Sequence, residues 1–236
     1  GYRSASPFGK RAKQLQMHLY FSIGSKSLLQ SLEHLLHRSF RIAPVTFQSF
    51  SFASFVVTRE VIPDIRDFLL IDISGEMTDI SIIRDGVLYE SISYPSGVNA
   101  LIRAISVTFA ISEKETLSLL RMHASGTLES ATKARVHRRL THTIKSWSRQ
   151  FQEALFQLSN HDRIPHTVAV TVDDDMAQYF KSAVEGEEFS QYMRTAGTFD
   201  AILIQYETLR PFCKVADTAK RDAFLMLETL FVSKLL

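Results

Sequence analysis

Hydrophobic residues in the middle of the chain follow the patterns expected of β-strands. Three apolar runs, FLLIDIS from Phe68, TDISII from Thr78 and VLYESISY from Val87, are separated by short polar segments. The Asp85-Gly86 pair between the second and third runs is typical of a two-residue hairpin turn. The sequence therefore predicts three antiparallel strands in succession.

Apolar residues with helical spacing lie on both sides of these strands. Leucines repeat at this spacing from Leu28 to Leu36, and another helix is predicted to begin near Val98. Ser112 and Glu115 form a capping-box pattern, which predicts the start of a further helix. The stripe from Leu140 to Leu158 predicts a helix of about five turns.

Two stretches near the start of the chain have less regular patterns. MHLYFSI, from Met17 to Ile23, is apolar and aromatic, and predicts a strand that ends at Gly24. The stretch that follows Ile42 fits both the strand and the helix period. We predict a strand from Ile42 to Phe47 and a helix after it.

The last third of the chain alternates between strand and helix patterns. HTVAVTV, from His166 to Val172, predicts a strand, and DDDMAQYFKSAV predicts a short helix with acidic residues at its start. FDAILIQYE predicts another strand. Asp217 is predicted to cap the last helix, whose inner stripe is Ala223, Leu227, Leu230 and Phe231. This order indicates the α/β class, with a mixed sheet covered by helices.

Composition and charge exclude several classes of protein. The 236 residues include 27 Lys and Arg against 25 Asp and Glu, so the overall charge gives no argument for a nucleic-acid partner. Cys213 is the single cysteine, which excludes an internal disulfide framework and fits a reducing cytoplasm. No apolar run approaches the roughly 18 residues of a membrane-spanning helix, and no Cys or His spacing suggests a metal site.

A row of basic residues lies opposite the apolar stripe of the long predicted helix. It comprises Arg138, Arg139, Lys145 and Arg149. A solvated helix face is the preferred interpretation, and a site for an anionic partner is the alternative.

The turn after the first of the central strands has residue types that could hold a phosphate. Gly75 would let backbone N–H groups approach an anion. Asp72 could hold Mg²⁺ through water, and the Thr78 hydroxyl could contact a terminal phosphate. The same residue types also cap ordinary β-turns, and that structural role is the preferred interpretation.

The segment from Asp72 to Asp79 resembles the second phosphate loop of the actin-like ATPases. In that family the loop is Asp-x-Gly, followed within a few residues by a Thr or its equivalent. The segment also resembles this loop in two bacterial members of the family, the type IV pilus assembly protein PilM and the cell-division protein FtsA. The resemblance implies a vestigial nucleotide site formed by Asp72, Ser74, Gly75, Thr78, Asp79, Gly97, Asn99 and Asp173.

Other stretches resemble the family in the same order along the chain. MHLYFSIGSKSLLQSLEHLLHRSFRIAPVTF resembles the strand, helix and strand that precede the loop. SISYPSGVNALIRAI resembles a Pro-x-Gly-Gly-Asn segment and its helix, and SEKETLSLL resembles an Ala-Glu-x-x-Lys helix. HTVAVTVDDDMAQYF takes the place of a Gly-Gly adenosine loop.

The resemblance implies an actin-like (ribonuclease H-like) mixed sheet flanked by helices, as a partial actin-like fold. The expected parts are a flexible lead at 1–16, a strand-helix-strand remnant of the first lobe at 17–60, and the second lobe with a C-terminal helix at 61–236. The portion that carries the family's first phosphate loop is expected to be missing from this chain.

The departures from the family pattern concern the nucleotide. Ser74 stands where the family has glycine, and Glu76 places a carboxylate beside the expected phosphates. One of two glycines remains at Gly97, and Asp173-Asp174 replaces Gly-Gly. Each added acid would disfavour a bound polyphosphate by about 1 kcal/mol or more at short range.

Two functions are therefore expected from the resemblance. The first is a non-catalytic scaffold of a membrane-associated machine, either pilus-like or division-ring-like, without a cofactor. It would lie at the cytoplasmic face of the inner membrane, bind a short tail of an inner-membrane protein and, as a further expectation, self-associate. The alternative is an ATPase or phosphotransferase that binds Mg-ATP through Asp72 and Thr78.

Overall fold

The computed structural model describes residues 9, 11, 13–14, 19–40, 45–159, 163–193, 197–214 and 222–235. These residues form eight α-helices, five β-strands and two 3₁₀ turns at Glu187–Tyr192 and Arg210–Phe212. The strands are β1 (Phe68–Ile73), β2 (Thr78–Arg84), β3 (Val87–Tyr94), β4 (Thr167–Val172) and β5 (Asp200–Leu203). The helices are α1 (Lys26–Phe40), α2 (Phe50–Val61), α3 (Val98–Phe109), α4 (Glu113–Ala124), α5 (Ser130–Leu158), α6 (Ala177–Val184), α7 (Tyr206–Leu209) and α8 (Ala223–Leu235).

The five strands form one mixed sheet in the order β3-β2-β1-β4-β5. β1, β2 and β3 are antiparallel neighbours, and β4 runs parallel to both β1 and β5. Asp85 and Gly86 both have positive φ, 52° and 71°, as the predicted hairpin turn requires. The predicted class, an α/β fold with a mixed sheet, is confirmed.

Helices cover both faces of the sheet, so every side chain of the central strand β1 is buried. Leu69, Ile71 and Ile73 point into a core shared with α3, α4, α5 and α6. Phe68 and Leu70 point to the opposite face, where α2 and α8 pack. Strands buried on both faces are continuous apolar runs rather than alternating ones.

The predicted strand at Met17 to Ile23 is wrong where it can be compared, because residues 19–23 form no regular structure. Ile23 is fully exposed, and none of the strands in the described chain pairs with its segment to complete a sheet. Residues 45–47 of the predicted strand from Ile42 to Phe47 are also irregular. Residues 17–18 and 42–44 lie outside the described residues. The helices predicted after each stretch are confirmed as α1 and α2.

The long helix α5 has 29 residues and so exceeds the predicted five turns. Its apolar stripe extends N-terminally through Val136, which is fully buried, so the helix begins well before Leu140. The capping box of α4 is present as predicted. The predicted cap Asp217 lies outside the described residues, and the Asp222 carboxylate caps α8 by accepting from the N–H groups of Phe224 and Leu225.

The predicted boundary between a first-lobe remnant and a second lobe, at residue 60, stays a prediction. Within the described chain, α2 packs against β1 and α8, on the same core as the sheet. None of the helices in the described part of the chain combines the length and apolar character needed to cross a bilayer.

Candidate functional site

The eight residues of the predicted nucleotide site gather at one edge of the sheet. β1 and β4 are parallel neighbours, with Ile73 paired to Val172, so the segments that follow them begin side by side. The start of β2 and the start of α3 adjoin the same edge. Clefts at the carboxyl ends of strands are common ligand sites in α/β folds. The residues at this edge are Asp72, Ser74, Gly75, Thr78, Asp79, Gly97, Asn99 and Asp173.

The turn between β1 and β2 is closed by Ser74. Its N–H donates to the Met77 carbonyl at 2.9 Å, and its hydroxyl donates to the same oxygen at 3.1 Å. The Met77 N–H donates back to Ser74 Oγ at 3.3 Å. Among the described residues, the N–H groups of Gly75 and Glu76 have no acceptor. These two amides are the donors that the turn itself could offer to an anion.

The first amides of α3 bind carbonyl groups of this turn. Val98 N–H donates to the Ser74 carbonyl at 2.9 Å, and Asn99 N–H donates to the Gly75 carbonyl at 2.8 Å. Helix N-termini normally leave such groups free for caps or ligands. A Cβ on Gly97 would lie 2.2 Å from the Ser74 carbonyl oxygen, so this glycine permits the close approach of α3 to the turn.

Glu76 lies at the tip of the turn within an exposed ion pair. Its carboxylate accepts from the Arg103 guanidinium at 2.6 and 3.0 Å and from Asn99 Nδ2 at 2.9 Å. The hydrogen bonds from Arg103, followed by that from Asn99, lower the pKa of Glu76 to about 2. The turn therefore carries a negative charge throughout the neutral pH range, and Arg103 is engaged in neutralising it.

Asp72 is buried beneath α2. The Ser54 hydroxyl donates to one carboxyl oxygen at 2.9 Å, and the other oxygen has no partner at hydrogen-bond geometry among the described residues. Burial raises the pKa of Asp72 to about 7, and the nearby Asp79 carboxylate adds to the shift, while the hydroxyls of Ser54 and Thr171 oppose it. Asp72 is therefore partly protonated at neutral pH.

The Thr78 hydroxyl belongs to a buried hydrogen-bond chain. It donates to the Ser96 carbonyl at 2.7 Å and accepts from Trp147 Nε1 at 3.0 Å. Trp147 is buried in the core, as its place in the α5 stripe predicts. To donate to a phosphate, the Thr78 hydroxyl would have to release the Ser96 carbonyl, since it has only one hydrogen to donate. The neighbouring Asp79 carboxylate accepts from the Ser93 hydroxyl.

The acidic turn after β4 is held by local contacts. Asp175 pairs with Arg121 of α4 at 2.6 Å, and Asp174 accepts from Gln205 Nε2 at 2.9 Å. Asp173 accepts from the Asp175 N–H at 3.0 Å. Burial raises the pKa of Asp173, and the carboxylates around it add to the shift. These side chains lie between β4 and α6, where the family resemblance places an adenosine loop.

The residues at this edge do not fit a magnesium ion. Mg²⁺ requires ionised, accessible oxygen ligands, whereas Asp72 is covered by α2 and Thr78 is committed to Trp147. Across the described ranges, no group of three or more His, Cys, Asp or Glu side chains is arranged to hold a metal ion.

Two partners at this edge are absent from the predicted site. Arg103 is one helical turn after Asn99 on α3, so the i, i+4 spacing could have suggested that both reach Glu76. Ser54 is 18 residues before Asp72. No local pattern connects them, and the ambiguous period around α2 gave no indication of which face meets the sheet.

Comparisons with known proteins show the fold. No family model and no curated protein matches the chain. A chain of the PilM-PilN type IV pilus biogenesis complex matches with a TM-score of 0.58 and 13% identity, covering 89% of this chain and 58% of that chain. The non-polymerisable quadruple mutant of pCBH ParM matches with a TM-score of 0.50 and 11% identity, covering 81% of this chain and 55% of that chain.

An archaeal actin homolog matches with a TM-score of 0.46 and 11% identity, covering 79% of this chain and 54% of that chain. The chain thus spans little more than half the length of each of these three structures. The arrangement of its sheet and helices is a partial actin-like α/β fold.

Proposed function

We propose that this chain, with its actin-like fold, acts as a non-catalytic assembly scaffold of a membrane-associated machine of the type IV pilus kind. The observation that carries the proposal is the closure of the turn at Ser74 onto α3. The α3 amides of Val98 and Asn99, which could otherwise attract an anion, bind the carbonyl groups of Ser74 and Gly75.

The charges around the turn also disfavour a polyphosphate. Glu76 keeps its negative charge at neutral pH, and Arg103, the nearby cation, is already bound to it. Asp173, Asp174 and Asp175 place further carboxyl groups at the same edge. A nucleotide would therefore have to displace an ion pair and approach acidic side chains, with repulsion of about 1 kcal/mol or more for each close charge.

The proposed partner is the short cytoplasmic tail of an inner-membrane protein. Support comes from the fold similarity to a chain of the PilM-PilN complex, whose name pairs PilM with a second pilus biogenesis protein. We place this chain, accordingly, at the cytoplasmic face of the inner membrane. A role in the division ring is the less favoured assignment within the same class.

Thermal melting with Mg-ATP tests the absence of nucleotide binding. About 1 mM Mg-ATP would stabilise the fold by about 2.7 kcal/mol if the Kd were about 10 µM. We expect no change in Tm. A rise in Tm that Gly75→Asp abolishes and Gly75→Asn preserves would locate nucleotide at the turn and refute the scaffold role, since only the first variant adds a charge.

An ATPase or phosphotransferase remains the second candidate because of one observation. The consecutive N–H groups of Gly75 and Glu76 lack acceptors among the described residues, and consecutive amides can form an anion-binding concavity. This candidate predicts that Glu76→Gln strengthens Mg-ATP binding by removing a charge and releasing Arg103. The scaffold proposal predicts that isothermal titration with Mg-ATP detects no heat of binding, either to the unaltered protein or to Glu76→Gln.

Binding of tail peptides tests the partner. We expect fluorescence anisotropy to detect binding of a labelled cytoplasmic tail from a pilus inner-membrane protein. The same peptide with scrambled sequence is the control. Equal binding of the two peptides, or no binding by tails from any pilus membrane protein of the source organism, would contradict the pilus assignment.

A further inference from the structure

Helix α1 is amphipathic, yet it has no buried residue. Its apolar residues occupy roughly 140° of the helix circumference, which is the width of a face that normally packs on a core. Leu28, Leu35 and Phe40 are 58%, 58% and 67% exposed. The apolar residues are Leu28, Leu29, Leu32, Leu35, Leu36 and Phe40. A face of this size on the surface indicates an interaction site.

The segment before α1 extends this apolar surface. Phe21 and Ile23 are strongly exposed. Tyr20 anchors the segment by stacking on Phe52 of α2 at 5.2 Å and by a 2.9 Å hydrogen bond between its hydroxyl and that of Ser49. The segment is thus attached to the side of the sheet that α2 covers, while its other aromatic and aliphatic groups face solvent.

The charges of the chain are distributed unevenly along the sequence. The first 41 positions contain seven Lys and Arg residues and one acidic residue, Glu33. The remainder contains 20 Lys and Arg against 24 Asp and Glu. At 100° per residue, Lys26 and Arg38 flank the two sides of the apolar face of α1. The apolar face therefore belongs to a strongly basic segment of a chain that is otherwise slightly acidic.

From this combination we infer that α1 binds the surface of an anionic lipid bilayer, with its leucines among the acyl chains and its basic residues at the headgroups. An amphipathic helix with an apolar face and cationic flanks has the properties of an interfacial helix. Anionic headgroups attract nearby Lys and Arg side chains. The inference rests on the proposed place at a membrane and names the element that makes the contact.

The favoured occupant follows from charge complementarity. A second copy of the chain would bring the same excess of positive charge to the interface, and like charges would repel. A bilayer with acidic lipids supplies both an apolar interior and negative charge, so it satisfies the leucines and the basic residues together.

Sedimentation of the full chain with vesicles tests the inference. We expect binding to vesicles of equal parts phosphatidylglycerol and phosphatidylcholine, weaker binding at high salt, and little binding to phosphatidylcholine alone. The double variant Leu32→Gln, Leu35→Gln should bind the anionic vesicles at least about tenfold more weakly, since two apolar side chains no longer enter the bilayer. Both leucines are exposed, so the fold should remain intact by circular dichroism.

Leu225→Gln is the matched control, because Leu225 is an exposed leucine on another helix, α8. It should bind anionic vesicles as the unaltered protein does. The inference is overturned if the unaltered protein does not bind anionic vesicles, or if the double variant binds them equally well. It is also overturned if light scattering shows a dimer that the double variant converts to a monomer, because a second copy would then cover α1.

The vesicle and nucleotide experiments fail independently. Loss of vesicle binding with no Tm response to Mg-ATP would remove the role of α1 and leave the scaffold. Vesicle binding together with a Tm rise that depends on Gly75 would retain the role of α1 and remove the scaffold.

Discussion

Asp72 shows how strongly burial changes the protonation of a single side chain. A carboxyl group whose pKa rises from 3.8 to about 7 on folding binds its proton more tightly in the folded state. The free energy of unfolding is then largest below the unfolded pKa. It decreases as the pH rises from about 4 to 7, because the unfolded chain loses its proton first. Above the folded pKa the penalty is constant.

Replacing Asp72 by Asn should remove this pH dependence. At pH 8 we expect the free energy of unfolding of Asp72→Asn to be about 2 to 4 kcal/mol higher than that of the unaltered protein, since the variant buries no charge. Near pH 4 the two proteins should be similar. Urea unfolding across this range gives the measurement, with the exposed Asp64→Asn as control. Parallel curves for Asp72→Asn and the unaltered protein would contradict the burial argument.

Gly97 and Gly75 can also be compared as single residues. Neither has a positive φ, so only space distinguishes their substitutions. A Cβ on Gly97 meets backbone oxygen at 2.2 Å, whereas a Cβ on Gly75 meets the end of the Asn99 side chain at 2.9 Å. Gly97→Ala should destabilise the fold by about 2 to 3 kcal/mol and Gly75→Ala by less than about 1. Equal losses of Tm would show that packing against the turn is not the reason for Gly97.

At this scale the sequence predicted a set of residues that lie together in the structure, but it did not predict their hydrogen-bond partners. Asp72, Gly75 and Gly97 do lie at one edge, because the antiparallel hairpin of β2 and β3 returns the chain to the end of the sheet where β1 ends. The burial of Asp72 by α2 could not be predicted, since Ser54 comes from a segment of ambiguous period. Whether Gly75 retains any affinity for an anion is decided by the melting experiment.

At the level of elements, Thr78 connects a strand, a loop and the longest helix. Its hydroxyl joins β2 to α5 through Trp147 and to the start of α3 through Ser96. The sequence predicted all three elements, because each has strong apolar periodicity or a cap. It did not predict that a candidate phosphate-binding hydroxyl would hold them together, since this contact joins residues 69 positions apart.

Thr78→Val is expected to weaken this junction. The substitution preserves shape but leaves the Trp147 N–H buried without its acceptor, which should reduce the unfolding free energy by about 1 to 3 kcal/mol. Thr78→Ser, which keeps the hydroxyl, is the control and should lose less. In a double-mutant cycle, Thr78→Val should have a smaller effect when combined with Trp147→Phe. Strict additivity in urea unfolding would contradict the proposed link.

The strands predicted near residues 20 and 45 are absent because a strand depends on a neighbouring element, not on its own sequence alone. An apolar segment becomes a strand only when a neighbour supplies hydrogen bonds, and no strand of the described ranges lies beside residues 19–23. Leu19, Phe21 and Ile23 face solvent instead, and Tyr20 packs on Phe52. The sequence contains no signal that distinguishes a segment that pairs within the sheet from one that lies on the surface.

At the scale of the whole molecule, two cores share one sheet. β1 and β4 contribute residues to both cores, so neither core can open fully while the other keeps these strands intact. The alternation of strands and helices in the sequence predicted this architecture. The division of the apolar residues between the two faces requires the register of β1 with β4, which only the structure provides.

Unfolding should therefore be a single transition. Trp147, on the buried face of α5, is the sole tryptophan and reports the core on that side of the sheet, whereas far-ultraviolet circular dichroism reports helices on both faces. We expect the two signals to give the same urea midpoint, as in two-state unfolding. A separate, earlier loss of ellipticity larger than α1 can contribute would show that the face covered by α2 and α8 opens independently, since α1 itself has no buried residue.

The two-sided burial of β1 also limits how this chain can vary in length. Because successive side chains point to opposite faces, inserting or deleting one residue within Phe68–Ile73 would exchange the side chains of the two cores and bring Asp72 to the face occupied by Trp147. The loop at 63–67 is largely exposed and does not alternate between two cores, and within it Ile65 packs on the core beside α2. Related chains that gain or lose residues before the sheet should do so in this loop, and β1 should keep its length of six residues.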